Sequence, residues 1–306
     1  MSTMTQRDRY RVVGNPIAHS RSPQIHAEFA RQTGHPIEYD RELIPVEPPQ
    51  AFDQSIRAFI AAGGRGCNVT LPFKTRAFAL ATRVADRARS AGAVNTLRFD
   101  GDGAIFGDNT DGAGLVADLT ARLGFALAGR SVTVLGAGGA ARGIVRPLLA
   151  AGVARLVVAN RNAARAEALV AECRGAAGGD SGGVTSGEPG GVTSGAAPLP
   201  LAAAALADAP AADLVINTTS AGVVAAPLAL PPALFSGCAL AYDCSYAAQP
   251  TGFMRTAQAG GAAAVADGLG MLVEQAAESF LIWRGVRPDT EPVYRLLRAA
   301  LSPTAP

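Results

Sequence analysis

The stretch SVTVLGAGGAARG, Ser131 to Gly143, determines the fold class of this chain. Its first five residues are mostly apolar and rich in β-branched side chains, which is typical of a buried parallel strand. Gly136, Gly138 and Ala141 follow at the G-x-G-x-x-(G/A) spacing. At this spacing the glycines permit a tight turn and the approach of a diphosphate, and the alanine permits close helix–strand packing. The stretch predicts a dinucleotide-binding βα unit; the alternative is a tight βα turn in a non-nucleotide protein.

Length and composition indicate a folded protein of about two domains. The chain has 306 residues, of which 49% are hydrophobic and 17% are charged. A net charge of +2 gives no electrostatic reason to expect nucleic acid or a membrane surface as partner. No apolar run reaches the length of a membrane span, and the polar first ten residues lack the apolar core of a signal peptide. We therefore expect a cytoplasmic protein that binds a small molecule.

The four cysteines and three histidines indicate neither a disulfide framework nor a metal site. The cysteines are Cys67, Cys173, Cys238 and Cys244, and no two of them form a C-x-x-C pair. Cysteines of this kind are usually small core residues, and a reducing cytoplasm agrees with their spacing. We predict that all four are core residues and that the protein binds no metal.

Strands alternate with helices along the chain, which predicts an α/β fold built on parallel sheets. Strands are predicted at 10–14, 37–44, 66–70, 131–135, 155–159, 213–217 and 239–243, with a strand pair at 92–99 and 103–109. Helices are predicted at 23–33 (with Ser22 as N-cap), 51–62, 73–81, 86–91, 110–124, 142–151, 268–284 and 291–301.

This pattern divides into two domains with a cleft between them, where ligands of such folds usually bind. The first is an N-terminal α/β substrate domain with a parallel-rich sheet, residues 1–111 plus 268–306. The second is a Rossmann-type dinucleotide-binding domain, residues 112–267. A Gly/Ser-rich segment at about 174–198 contains GGVTSG twice, and we predict a mobile insertion without a role in activity.

The residues after the second nucleotide strand favour NADP over NAD. In NAD-binding units an acidic residue at the end of this strand holds the ribose 2′-hydroxyl. Here the strand is followed by Asn160, Arg161 and Asn162, with Arg165 one turn later. A guanidinium pairs with a 2′-phosphate that a carboxylate would repel. The alternative is that both arginines are solvated side chains at the start of a helix.

Lys74 and Asp111 are the candidate catalytic pair. Each follows a predicted strand and lies at the start of a helix, in NVTLPFK and GDNTDGAG. Taken singly, they could be a surface lysine and a helix-capping aspartate. The motifs around them distinguish these two residues from such isolated ones.

The chain resembles the shikimate dehydrogenase family from about residue 10 to residue 285. The motifs that carry the resemblance are GNPIAHSRSP (14–23), NVTLPFK (68–74), AGAVNT (91–96), GDNTDG (107–112), GAGGAARG (136–143), NRNAAR (160–165), NTTSAG (217–222), YDCSY (242–246) and ADGLGMLVEQAA (266–277). The resemblance implies reversible, NADP-linked reduction of 3-dehydroshikimate to shikimate in the cytoplasm, a step of aromatic amino-acid biosynthesis.

The resemblance also implies a role for each matching residue. Lys74 is then the catalytic base, paired with Asp111. The substrate is held by Ser20, Ser22, Asn68, Thr70, Lys74, Asn95, Asp111, Tyr246 and Gln275. The cofactor is held by Gly136, Ala137, Gly138, Gly139, Ala140, Asn160, Arg161, Asn162 and Arg165, with Cys244 and Gly268 near the nicotinamide and Asp86 approaching the cofactor.

Two other functions stay open at this point. One is oxidation of quinate or of an amino-substituted shikimate, with NAD or NADP, against which the Ser20-x-Ser22 pair and the Arg161/Arg165 pair both speak. A catalytically silent metabolite sensor could use the same fold, because fold does not fix function. The presence of both Lys74 and Asp111 argues against the sensor, which has no need of a proton-transfer pair. The chain could act as a monomer or a homodimer.

Overall fold

The computed structural model describes residues 7–175, 199–219 and 228–301, and it contains two six-stranded sheets with helices packed against them. The first sheet contains β1 (Asp8–Gly14), β2 (Ile37–Leu43), β3 (Gly64–Val69), β4 (Arg83–Val84), β5 (Thr96–Phe99) and β6 (Ile105–Asp108). The second contains β7 (Ser131–Leu135), β8 (Arg155–Asn160), β9 (Leu201–Ala205), β10 (Leu214–Asn217), β11 (Leu240–Asp243) and β12 (Val265–Asp267).

Ten α-helices lie within the described residues. They are α1 (Ser22–Thr33), α2 (Ala51–Ala61), α3 (Lys74–Leu80), α4 (Asp86–Ala91), α5 (Asp111–Ala117), α6 (Gly139–Ala150), α7 (Ala163–Gly175), α8 (Gly252–Ala259), α9 (Leu269–Arg284) and α10 (Glu291–Leu301). A π-helical turn, Asp118–Arg122, continues α5, and a short 3₁₀ turn, Leu206–Asp208, follows β9.

The second sheet is a doubly wound nucleotide-binding sheet. Its strands are all parallel and lie in the order β12-β11-β10-β7-β8-β9. The order reverses between β7 and β10, and ligands of open α/β sheets bind beyond the carboxyl ends of the strands at such a point. Fully buried apolar side chains fill both faces, with Val134 and Leu156 on one face and Leu135 and Val215 on the other. The predicted Rossmann-type architecture is confirmed.

The first sheet is mixed, in the order β2-β1-β3-β5-β6-β4. β1 pairs in parallel with β2 and β3, whereas β5 is antiparallel to both β3 and β6. The predicted strand pair 92–99 and 103–109 is the β5–β6 hairpin. Asn68 lies near the end of β3, and Asn95 immediately precedes β5. The two residues are therefore neighbours across the sheet. This juxtaposition places two polar side chains at the edge of one cavity.

The last two helices return to the first sheet after the chain has completed the second. Phe280 of α9 is fully buried and makes an edge contact with Phe29 of α1, with their ring centroids 5.9 Å apart. α5 lies against α9 at a glycine, because a Cβ on Gly114 would come within 2.7 Å of the Gln275 backbone nitrogen. This close approach brings Gln275 toward the start of α5, where Asp111 stands.

The element boundaries differ from the sequence prediction at several points. α6 begins at Gly139 rather than Arg142, so the small residues of the glycine stretch already form its first turn. Ser22 was predicted to cap α1 but is its first residue; Arg21 holds the N-cap position and no side chain caps it. β9 was not predicted, because an alanine run has weak intrinsic strand preference and pairs here only through its register with β8.

The prediction for the cysteines is correct at three positions and wrong at one. Cys67, Cys173 and Cys238 are buried, whereas Cys244 is half-buried and lines a cavity. All four are free thiols. Of the predicted Gly/Ser-rich insertion at about 174–198, residues 176–198 lie outside the described part of the chain.

Two kinds of feature are absent from residues 7–175, 199–219 and 228–301. No helix in this part of the chain is long and apolar enough to cross a membrane. No group of three or more His, Cys, Asp or Glu side chains in it is arranged to hold a metal ion.

Candidate active site

One cavity of about 410 Å³ collects all nine residues that the resemblance assigns to the substrate. They are Ser20, Ser22, Asn68, Thr70, Lys74, Asn95, Asp111, Tyr246 and Gln275. Cys244 and Gly268, which the resemblance places near the nicotinamide, line the same space. We call this the substrate cavity. The structure brings the nine side chains together; their roles toward a ligand stay predictions.

Lys74 and Asp111 form an ion pair at the wall of this cavity. The Nζ atom of Lys74 donates to Oδ2 of Asp111 at 2.5 Å, and the two side chains are 17% and 9% exposed. Each residue is the first of its helix, α3 and α5 respectively. Because solvent screens so buried a pair only weakly, the carboxylate holds the ammonium group in place.

Lys74 is also the only lysine in the chain, beside 26 arginines. An arginine guanidinium keeps its proton in proteins, whereas a lysine ammonium can release one and take it back. The sequence therefore places its single lysine, a cation that can release a proton, at this position. The presence of a single lysine is a feature of composition rather than of any motif. It supports a proton-transfer role for Lys74.

Asn95 holds the second oxygen of Asp111. Its Nδ2 donates to Oδ1 of Asp111 at 2.7 Å, while its Oδ1 accepts the backbone N–H of Thr110 at 2.9 Å. A backbone donor cannot be exchanged for an acceptor, so it fixes which way the Asn95 amide is turned. Both oxygens of the Asp111 carboxylate are thus bound, one by Lys74 and one by Asn95.

Asn68 lies deeper, 6% exposed, within a network of hydroxyl groups. The hydroxyl of Tyr39 donates to Oδ1 of Asn68 at 2.7 Å, and Nδ2 of Asn68 donates to Ser279 Oγ at 2.9 Å. Burial raises the pKa of Tyr39 well above its ordinary value, so this hydroxyl keeps its proton and acts as a donor. Nδ2 of Asn68 also donates to the Asn95 carbonyl at 3.3 Å, and because a carbonyl can only accept, this contact fixes which way the Asn68 amide is turned.

The far end of the cavity is formed by the loop before α1 and the loop after β11. Ser20 Oγ donates to Ser22 Oγ at 3.1 Å, and the Arg41 guanidinium donates to the Ser20 carbonyl at 2.6 and 2.8 Å. Across from them, burial raises the pKa of Tyr246, and burial together with the neighbouring carboxylates raises the pKa of the Cys244 thiol. Both groups are therefore neutral at neutral pH.

A second cavity of about 530 Å³ lies at the carboxyl ends of β7, β8 and β10; we call it the cofactor cavity. It is lined by the whole predicted glycine loop, Gly136, Ala137, Gly138, Gly139 and Ala140, and by Asn160 and Arg161. Thr70 and Lys74 line both cavities, so the two spaces meet at Lys74. Thr218 and Thr219, absent from the predicted site residues, also line it.

The residues of the cofactor cavity fit an anionic dinucleotide. Gly136 has φ +107° and a Cβ there would lie 2.5 Å from Thr218 Oγ1, so the turn requires glycine. No side chain caps α6, which leaves its first backbone N–H groups for a phosphate. The described residues that line the cavity include two cations, Lys74 and Arg161, and no carboxylate. This donor set suits a diphosphate and a 2′-phosphate.

Three predicted cofactor residues lie outside both cavities. Asn162 and Arg165 are exposed at the start of α7, where the Asn162 carbonyl accepts from the Arg165 backbone N–H. Asp86 is exposed at the start of α4 and does not line either cavity. The structure thus brings Asn160 and Arg161 to the cofactor cavity but not these three.

Sequence reasoning missed four hydroxyl groups that hold the substrate-cavity side chains. They are those of Tyr39, Thr96, Thr110 and Ser279. Thr96 and Thr110 lie within motifs that the sequence analysis singled out, which was an available signal. Tyr39 and Ser279 lie in ordinary amphipathic patterns, and only the packing of β2 and α9 brings them to Asn68.

Three family models match the chain. The shikimate dehydrogenase substrate binding domain matches residues 12–97, the shikimate / quinate 5-dehydrogenase model matches 118–178, and the shikimate 5′-dehydrogenase C-terminal domain matches 268–298. Together they cover segments that form both cavities.

Curated and solved relatives extend over nearly the whole chain. A shikimate dehydrogenase (NADP(+)) of Dechloromonas aromatica is 50% identical over 294 residues, which is 96% of this chain and 98% of that protein. The crystal structure of an Ael1 enzyme from Pseudomonas putida has a TM-score of 0.81 at 40% identity, covering 97% of this chain and 99% of that one. Shikimate 5-dehydrogenase from Thermus thermophilus, in complex with NADP(H) and shikimate, has a TM-score of 0.78 at 34% identity, covering 96% and 100%.

Proposed function

The chain belongs to the shikimate dehydrogenase family, and on that premise we propose that it reduces 3-dehydroshikimate reversibly to shikimate with NADPH. It is an NADP-dependent oxidoreductase that acts on a CH–OH group. The observation that carries the proposal is the position of Lys74, which borders both the substrate and the cofactor cavity and is paired with Asp111. A sensor of metabolites has no use for this arrangement.

In this proposal Lys74 moves the proton. Its Nζ donates a proton to the carbonyl oxygen of 3-dehydroshikimate during reduction and removes the hydroxyl proton of shikimate in the reverse direction. Asp111 keeps Nζ at this place and, held by Asn95, presents its carboxylate as an acceptor for a ring hydroxyl. NADPH, when bound, supplies the hydride that the carbonyl carbon receives.

The remaining side chains of the substrate cavity bind and orient. Ser20 and Ser22 hold the substrate carboxylate, and their mutual hydrogen bond and the anchor from Arg41 set the loop in advance. Asn68, Thr70, Asn95 and Gln275 hold ring hydroxyls, and Tyr246 covers the site. Neutral hydroxyl and amide groups suit a polyhydroxylated ring, because each hydroxyl needs both a donor and an acceptor.

The cofactor cavity holds NADP in the same scheme. The residues from Gly136 to Ala140 bind the diphosphate at the start of α6, and Asn160 with Arg161 binds the phosphorylated ribose. Asn162 and Arg165 at the start of α7 and Asp86 at the start of α4 lie outside the cavity, so we assign them no contact with the diphosphate or the phosphorylated ribose. Cys244 and Gly268 border the nicotinamide from the substrate side.

We further propose the division into a substrate domain, residues 1–111 plus 268–306, and a cofactor domain, residues 112–267. Its support is the core that α9 and α10 share with β1 and α1. We also propose a cytoplasmic location in aromatic amino-acid biosynthesis, as expected of the family. The protein acts as a monomer or a homodimer in this proposal, since each chain holds both cavities.

Initial rates test the proposal. Oxidation of shikimate and of quinate is measured with the purified protein, each with NADP and with NAD. Shikimate with NADP gives the highest kcat/KM if the proposal is correct. A higher kcat/KM with quinate or with NAD would instead indicate a quinate-oxidising relative that uses the same Lys74–Asp111 pair. No rate in any of the four combinations contradicts the enzymatic function and returns attention to a shikimate sensor.

A further inference from the structure

We propose that Ser279, a residue of α9 to which neither the motifs nor the family models assign a role, is a positioning residue for substrate binding. It holds Asn68 in the one orientation that the substrate cavity requires and connects Asn68 to the Asn95–Asp111 pair. The inference rests on the proposed function and names a further residue that controls the affinity for shikimate.

The contacts of Ser279 join three separate elements. Its hydroxyl is fully buried and accepts from Nδ2 of Asn68 on β3 at 2.9 Å. The same oxygen lies 2.8 Å from Oγ1 of Thr96 on β5 and 3.1 Å from the Gln275 carbonyl on its own helix. One hydroxyl on α9 therefore ties together two strands of the first sheet at the base of the substrate cavity.

The hydrogen atoms in this network run in one direction. Thr96 donates its single hydroxyl hydrogen to Oδ1 of Asn95 at 2.9 Å, so its 2.8 Å contact with Ser279 uses the one hydroxyl hydrogen of Ser279, which is shared with the Gln275 carbonyl at 3.1 Å. Asn95 then donates to Asp111, which also accepts from Lys74. Hydrogen bonds aligned in this way polarise one another. If one buried hydroxyl of the series is removed, a neighbouring donor loses its acceptor.

The other end of the series explains why Ser279 matters for Asn68. Tyr39 donates to Oδ1 of Asn68, and Ser279 accepts from Nδ2, so the two hydroxyls hold opposite ends of one amide. Without the Ser279 oxygen, Nδ2 of Asn68 keeps only two longer contacts. They are 3.2 Å to Oγ1 of Thr96 and 3.3 Å to the carbonyl oxygen of Asn95. The amide then turns more freely, and its share in substrate binding falls.

The test is Ser279→Ala in the full-length protein. We expect the KM for shikimate to rise about five- to tenfold, with the KM for NADP and kcat within about twofold of wild type. Shikimate affinity measured by calorimetry without cofactor should fall by the same factor. Ser279→Cys keeps a weak donor and acceptor in a somewhat larger side chain, so its KM should lie between those of wild type and Ser279→Ala.

Thr133→Val is the matched control. Thr133 is also fully buried, lies on β7 of the second sheet, and donates to the Pro210 carbonyl at 2.9 Å. It should lower the melting temperature about as much as Ser279→Ala and leave the shikimate KM unchanged. A shikimate KM that rises equally in both variants shows a general loss of stability and overturns the inference.

Tyr39→Phe tests the coupling through Asn68 from the opposite end. We expect it to raise the shikimate KM as well, and the double variant to raise it less than the product of the two factors, because both changes release the same amide. A multiplicative double variant, or a Ser279→Ala KM within twofold of wild type, overturns the inference. A wild-type protein without NADP-linked shikimate oxidation would instead overturn the proposed function, so the two failures are distinct.

Discussion

The substrate cavity and the cofactor cavity differ in how their surfaces are built. Buried side chains form the first, and they come from distant parts of the chain, as the contact between Asn68 and Ser279 shows. Five consecutive small residues, 136–140, form the centre of the second through their backbone. We therefore expect selectivity in the substrate cavity to depend on side-chain orientation, and binding in the cofactor cavity to depend on backbone shape and helix polarity.

Lys74 belongs to both cavities, so its loss should have the largest effect. We expect Lys74→Ala to reduce kcat by about 10²- to 10⁴-fold, the usual contribution of a general acid–base group, with much less change in shikimate affinity. Steady-state kinetics and calorimetric titration with shikimate measure the two quantities. A variant that loses only affinity and keeps its turnover contradicts the catalytic role.

Two further variants separate charge from proton transfer. Lys74→Arg keeps the positive charge but not an exchangeable proton, so it should be nearly as inactive as Lys74→Ala. Arg76→Ala, two residues along the same helix, removes only a half-buried ion pair with Asp53 outside both cavities and should leave kcat within about twofold. Recovery of activity in Lys74→Arg would show that the charge alone suffices.

Arg161 tests whether the cofactor cavity selects its ligand by one side chain. Arg161→Ala should raise the KM for NADP about 10- to 100-fold, because a charge-assisted hydrogen bond contributes about 1.5–3 kcal/mol. The KM for NAD, which lacks the 2′-phosphate, should change little. Arg165→Ala, exposed and outside the cavity, should have a smaller effect. Equal losses for NADP and NAD would indicate damage to the fold rather than loss of phosphate recognition.

Two glycines of the same loop sharpen the comparison further. Gly138→Ala should fold normally, because a Cβ there meets no atom within 4 Å, yet weaken NADP about tenfold by standing in the diphosphate position. Gly136→Ala should instead lower stability by about 1–3 kcal/mol, because its φ of +107° and its contact with Thr218 exclude a side chain. Thermal melts and NADP titrations of both variants separate the two effects.

The smallest effect is expected from deletion of residues 178–195. Their Gly/Ser-rich composition offers little apolar surface to bury, so activity and melting temperature should both stay close to wild type. Expression yield, thermal melts and the standard assay check this. Loss of folded protein after the deletion would show that the segment packs against the rest of the chain.

Much of the cofactor cavity could be predicted because its signals are local. The strand, the glycines and the helix of 131–150 follow one another within a short stretch of sequence, and spacing alone relates them. The errors there concern boundaries, such as the start of α6 at Gly139, because small residues suit a turn and a helix equally. Sequence patterns could not predict that Arg165 and Asp86 are exposed, because their exposure depends on how α7 and α4 are oriented.

For the substrate cavity, motifs predicted which side chains meet but not what holds them. Ser20, Asn68 and Gln275 were found by resemblance, and the structure places them around one space. The supporting hydroxyls of Tyr39 and Ser279 carried no signal, because tyrosine on a strand and serine on an amphipathic helix are common. Cys244, predicted as a core residue, lines the cavity, and its half-burial likewise follows from packing rather than from any local pattern.

The sequence by itself determined the kinds of chemistry present in this protein. It specified a phosphate-binding βα turn, an arginine rather than a carboxylate after β8, and a single lysine. Only the tertiary structure decided that Lys74 borders both cavities and that Ser279 supports Asn68 across 211 positions of sequence. Backbone preferences act over a few residues, whereas such contacts depend on the packing and register of whole strands and helices.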